Sequence, residues 1–110
     1  MLVRLQMLII LCFAASSVQA GEAIEGRWTP DAENCGVETS LLIVDALSLR
    51  WRDAACTVKR SYRLKDSWHI GASCLAEGAT SEVPIKLELR GGRLLLEWAS
   101  APVQELHRCP

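Results

Sequence analysis

The chain has 110 residues, half of them hydrophobic and 23% charged, with a formal net charge of −1 and five cysteines. These figures fit one globular domain. They exclude a collagenous or disordered chain, a multidomain enzyme and a strongly basic nucleic-acid binder.

Met1 to Arg4 carries a positive charge, and Leu5 to Ala15 is apolar apart from Gln6. Val18-Gln19-Ala20 then puts small residues where a signal peptidase reads, which predicts a signal peptide over residues 1–20 and a single β domain over residues 21–110. An uncleaved anchor needs about 18 apolar residues; Ser16, Ser17 and Gln19 stop this run short. The mature chain is therefore expected to be periplasmic or secreted, with no stable membrane insertion and no nucleic-acid partner. Removing Arg4, the one charged residue of the leader, takes the net charge from −1 to −2.

Downstream, no stretch of ten residues shows a helical apolar stripe, whereas period-two alternation between turn residues recurs, the pattern of half-buried strands. The fold class is all-β, a small antiparallel meander or barrel of seven to eight short strands with two disulfides. Residues 22–45 hold Glu22, Glu25, Asp31, Glu33, Glu38 and Asp45 against Arg27 alone. Residues 50–65 reverse the sign, with Arg50, Arg52, Lys59, Arg60, Arg63 and Lys65 against Asp53. Leu41 to Val44 and Leu47 to Trp51 are apolar runs separated by Asp45-Ala46, and form either a hairpin or one bent strand.

In Cys56 to Leu64 the residues Cys56, Val58, Tyr62 and Leu64 share one face, and in Trp68 to Ala76 so do Trp68, Ile70, Ala72 and Cys74. Facing residues of an antiparallel pair share a face, so the register sets Cys56 opposite or diagonal to Cys74. Arg60 is the misfit in the inward row. Either a bulge turns it out or it meets a carboxylate inside. From Glu82 to Trp98, Val83, Ile85, Leu87 and Leu89 alternate with polar residues. Gly91-Gly92 then supplies a two-residue turn, pairing Leu89 with Leu94, Leu87 with Leu96 and Ile85 with Trp98. Pro84 lacks a donor and marks an edge or a bulge.

Cys12 leaves with the leader, so Cys35, Cys56, Cys74 and Cys109 remain, an even number in an exported chain, which predicts two disulfides. The register gives Cys56–Cys74, and elimination gives Cys35–Cys109. Eight strands in a meander would hold Cys35 and Cys109 at opposite ends, whereas seven, with residues 40–51 as one strand, would bring them together. The bridge thus favours seven.

No C-x-x-C spacing suggests a metal site, and only His69 and His107 could join one; no cofactor is expected. There is no G-x-S-x-G, no H-E-x-x-H and no glycine-rich phosphate loop, so the chain is not read as an enzyme and no catalytic residue is assigned. The four tryptophans, Trp28, Trp51, Trp68 and Trp98, fill a small core well. Trp51 has a second reading, outward between Arg50 and Arg52 as an aromatic and basic patch. Alternation opposite the inward sets Leu47, Leu49, Trp51 and Cys56, Val58, Tyr62 gathers Arg50, Arg52, Lys59, Arg63 and Lys65 on one outer face. That face would suit an acidic exported protein or an anionic envelope polymer.

Glu25-Gly26-Arg27-Trp28 near the start and His107-Arg108-Cys109 at the end resemble the calycin signature, a G-x-W whose tryptophan packs at the closed end of a barrel beneath a basic residue of the last strand. Trp51 to Cys56 extends the likeness, over residues 25–56, toward the periplasmic metalloprotease inhibitors of the Inh type. The resemblance implies a single-domain eight-stranded barrel, an N-terminal arm that enters a protease cleft, and a Cys35–Cys56 bridge that conflicts with the register. Four mature cysteines and the acidic start Gly21-Glu22-Ala23 depart from that family. The leading expectation is a protein-binding module, an inhibitor of a secreted or periplasmic hydrolase. The alternative is a small-ligand or envelope-polymer binding barrel, which needs a cavity.

Overall fold

The computed structural model describes residues 23–110; the leader, its cleavage after Ala20 and the acidic Glu22 lie outside them. The described chain is an eight-stranded antiparallel barrel closed in sequence order, with two disulfides. Its strands are β1 (Gly26–Thr29), β2 (Leu42–Val44), β3 (Ser48–Trp51), β4 (Ala54–Leu64), β5 (Ser67–Ala76), β6 (Ala79–Arg90), β7 (Arg93–Trp98) and β8 (Gln104–Arg108). An even number lets the last strand close antiparallel on the first, with Trp28 opposite Arg108 and Thr29 opposite His107. Closure removes most sheet edges.

Residues 40–51 therefore make two strands, not one, because Asp45-Ala46-Leu47 turns the chain: the Asp45 amide donates to Ser48 O and pairs Val44 with Leu49. Leu47, expected inward, sits on that turn and is 73% exposed. The eight-strand count still forms the Cys35–Cys109 bridge, contrary to the counting that favoured seven. Cys35 lies in no strand. It belongs to the long β1–β2 connection, two single-turn 3-10 segments (Ala32–Asn34 and Glu38–Ser40) that fold back beside β1. Arg27 Nη2 donates to Cys35 O at 2.7 Å, while the Cys109 amide donates to Arg27 O at 2.8 Å, so both cysteines meet against one residue of β1.

The Gly91-Gly92 hairpin forms in the expected register, Leu89 with Leu94, Leu87 with Leu96 and Ile85 with Trp98. Both glycines have positive φ (58° and 79°), as the tight primed turn requires. Cys56 faces Cys74 and bonds to it, with 4.0 Å between their Cα atoms. The Cys35–Cys56 bridge implied by the inhibitor resemblance is not formed.

Inward residues fill the barrel. Trp28, Leu42, Leu49, Leu87, Leu94 and Leu106 are fully buried, and Trp51, Trp68, Ile70, Ile85 and the Cys56–Cys74 bridge close around them. Strand alternation assigns two ends. The entry end carries residues 23–25, the turns after β2, β4 and β6, and the end of β8; the far end carries the β1–β2 loop and the turns after β3, β5 and β7. At the entry end Trp28 donates its indole N–H to Ile24 O at 2.9 Å. Arg108 lies 4.2 Å over the Trp28 ring and donates to Ala23 O (2.8 Å) and Glu25 O (3.0 Å). One guanidinium thus covers the core tryptophan and ties down the incoming chain.

A candidate docking surface on the outer wall

β4 changes register partway along. Cys56, Thr57 and Val58 pair with Cys74, Ser73 and Ala72, but the next pair is Arg60 with Gly71, followed by Tyr62 with His69, so Lys59 is the extra residue of a β-bulge. One inserted residue inverts side-chain parity beyond it. Tyr62 and Leu64, expected inward with Cys56 and Val58, point outward instead and are 60% and 58% exposed. Arg60 takes the bulge option and is exposed rather than buried against a carboxylate.

The bulge also disperses the expected basic face. Arg50 is exposed on β3, in register with Ile43 and Ala55. Trp51 is in the core at 6% exposure, which removes the outward reading. Arg52 occupies the β3–β4 turn at the far end with φ 55°, its guanidinium 5.0 Å over the Trp51 ring. Lys59 is the bulged residue, and Lys65 turns the chain at the entry end with φ 54°. Arg63, moved to inner parity, faces Trp68; its guanidinium stands 4.7 Å over that ring and donates to Lys65 O at 2.6 Å. Arg52, Arg63 and Arg108 therefore each roof a core tryptophan at a barrel end, which is packing as much as charge. The six residues Arg50, Trp51, Arg52, Lys59, Arg63 and Lys65 form no common surface.

What the bulge assembles is different. Register places Arg60, Gly71 and Pro84 in one outward row across β4, β5 and β6, and the Ala99 amide donates to Pro84 O at 2.8 Å, extending the row. Tyr62, His69, Lys86 and Glu97 make the next row. Gly71, Pro84 and Ala99 keep the first row low while the second row stands tall, which leaves a trench of about 350 Å³ along the outer wall. Tyr62 and His69 stack face to face, with ring centres 4.8 Å apart and planes 4° from parallel. Arg60 lies across Gly71: a Cβ there would stand 2.8 Å from its Nε and 3.0 Å from its Cγ, so glycine is what lets the side chain cross β5. Pro84 sits in the middle of β6, where β7 has ended and no ladder donor is lost on that side.

A cup of about 270 Å³ opens at the far end between Trp51, Trp98, Leu96 and Pro102, rimmed by Arg52, Asp53 and Glu77. A gap of about 70 Å³ lies between Val44, Val58, Trp68 and Ile70. Among the described residues no group of three or more His, Cys, Asp or Glu could hold a metal ion, and no helix is long and apolar enough to cross a membrane. Glu105 is held below the ordinary carboxylate pKa by the hydrogen bond from Arg93 and by the charge of Arg93, with a smaller contribution from His107.

Sequence reasoning missed the trench because it depends on the bulge. Two signals were nonetheless present: an arginine out of phase in an apolar row, and Gly71 in the middle of the strand beside it. Compared with known proteins, the chain matches no family model, no curated protein and no solved structure.

Proposed function

We propose that this chain is an exported, non-enzymatic binding module that docks another protein through the outer wall of β4–β7. The observation carrying this reading is the trench itself: a bulge has taken Tyr62 out of the core and stacked it on His69 at the edge of a hollow of about 350 Å³. Exposed, rigidly held tyrosine and arginine are the residues on which protein interfaces most often depend. The filled interior supports docking over carriage, since large apolar side chains occupy the space that a small-molecule ligand would need. Two disulfides suit an oxidising compartment, and the leader reading places the chain there. The partner class in best accord with the calycin-like features is a secreted or periplasmic hydrolase, with this chain as its inhibitor. Cleavage after Ala20 would leave two residues ahead of Ala23, whose carbonyl is already held by Arg108, so wall docking is favoured over arm insertion.

The test is site-specific photocrosslinking in cells that export the protein. A benzophenone side chain at position 62 should yield a discrete protein adduct, and one at Thr39, exposed on the β1–β2 loop, should not. Absence of an adduct at position 62 refutes wall docking. A second reading rests on the far-end cup, where Trp51 and Trp98 could flank a small ligand. Protection of Trp98 from solvent quenchers by a small molecule, with no adduct at position 62, would favour it.

A further inference from the structure

Given docking at the outer wall, the trench itself carries the chemistry of its occupant. Arg60 is held against Gly71 with its stem across β5, inside the trench rather than beside it. A guanidinium carries five donors in a planar fork matched to a carboxylate. Among the described residues none of those donors is spent: the ion pairs are Arg90–Glu88 and Arg93–Glu105, and no hydrogen bond or ring contact engages Arg60. Lys86, by contrast, has Glu97 directly opposite in the β6–β7 register, so that part of the trench is balanced in charge. The uncompensated charge lies at the β4 end, where Lys59 precedes Arg60 at the bulge. Next to it stand the open face of the Tyr62 ring and the Pro84 ring, which offer apolar contact but few hydrogen bonds.

We propose that the trench takes an extended acidic segment of a partner protein, one carboxylate forked by Arg60 and the following apolar side chain lying on Tyr62 and Pro84. Charge complementarity selects this occupant. Lys59 and Arg60 put two positive charges side by side at the β4 end of the trench, so an acidic segment meets complementary charge there. The bulge belongs to the same design: it turns Arg60 and Tyr62 together to the outer face, and Gly71 clears the path that the arginine takes.

The experiment uses the oxidised mature protein, labelled with nitrogen-15, titrated with the blocked peptide acetyl-Glu-Glu-Leu-Gly-Gly-amide and its Gln-Gln counterpart. Amide shifts should centre on Arg60, Gly71 and Lys86. The Gln-Gln peptide should bind at least about fivefold more weakly, because it forfeits the charge-assisted fork. Arg60→Glu should abolish the shifts without altering the melting temperature. Gly71→Ala keeps every charge but pushes Arg60 off the strand, and should weaken binding at least about threefold. Equal binding of the two peptides, shifts centred elsewhere, or no shifts at millimolar peptide each overturn the acidic occupant. If position 62 still crosslinks a protein partner, docking stands and only its chemistry is wrong; if it does not, both fail.

Discussion

Replacing Arg108 by methionine tests how the barrel holds its entry end. Methionine keeps an apolar stem over Trp28 but removes the cation stacked 4.2 Å above the ring and the donors to Ala23 O and Glu25 O. A cation–π contact at an exposed site contributes about 0.5 to 1 kcal/mol, and each hydrogen bond from a charged donor about 1.5 kcal/mol at the lower end of its range. Arg108 is itself exposed and water can replace part of what is lost, so the total is about 2 to 3 kcal/mol. For a domain of this size that lowers the melting temperature by roughly 8 to 20 °C. Thermal unfolding followed by near-ultraviolet circular dichroism reads the shift directly. Hydrogen exchange at the Trp28 indole, which donates to Ile24 O, should quicken in the same variant. Arg108→Lys should fall between, because an ammonium cannot fork to two carbonyls while lying on a ring. A methionine variant that melts within about 3 °C of the wild type would refute this account of Arg108.

Three further outcomes follow from the structure. Replacing Cys35 and Cys109 by alanine opens a link of 74 residues and should cost about 4.5 kcal/mol, against about 3 kcal/mol for the 18-residue Cys56–Cys74 link before any loss of core packing; urea denaturation separates the two. Leu87→Ala, at a position with 0% exposure in the centre of the barrel, should cost about 2 to 5 kcal/mol by the same assay. Glu105 titrates below its unfolded value, so the stability it adds is present above the unfolded pKa and lost as pH falls through the folded one. Arg93→Ala should move the Glu105 carboxyl titration, followed by NMR, back up toward the ordinary value, with little change in melting temperature because the pair is solvent-exposed.

Local pattern was enough for the β6–β7 hairpin, since Gly91-Gly92 dictates the turn and the register that follows from it puts Ile85, Leu87, Leu94 and Leu96 on one face, with Leu95 turned outward opposite Glu88. It was enough for Cys56–Cys74 as well, because parity holds from Cys56 to Val58 and from Ala72 to Cys74, with no irregularity between. It failed immediately beyond. A period-two pattern contains no mark of an inserted residue, and Tyr62 and Leu64 look like core residues until the ladder with β5 shifts by one at Lys59. That shift is a matter of pairing between strands: β4 must meet a β5 whose Trp68 and Ile70 are buried in the barrel, and this is not a property of β4 alone. The path of residues 30–41 was likewise beyond local reading. Strand counting assumes short turns, whereas this connection folds back to Arg27 and carries Cys35 to Cys109 in spite of the even number of strands. The sequence by itself determined the all-β class, the long hairpin and the four paired cysteines, because alternation and covalent chemistry are local. The outer trench was decided by the tertiary structure, because it exists only where four strands meet in one register.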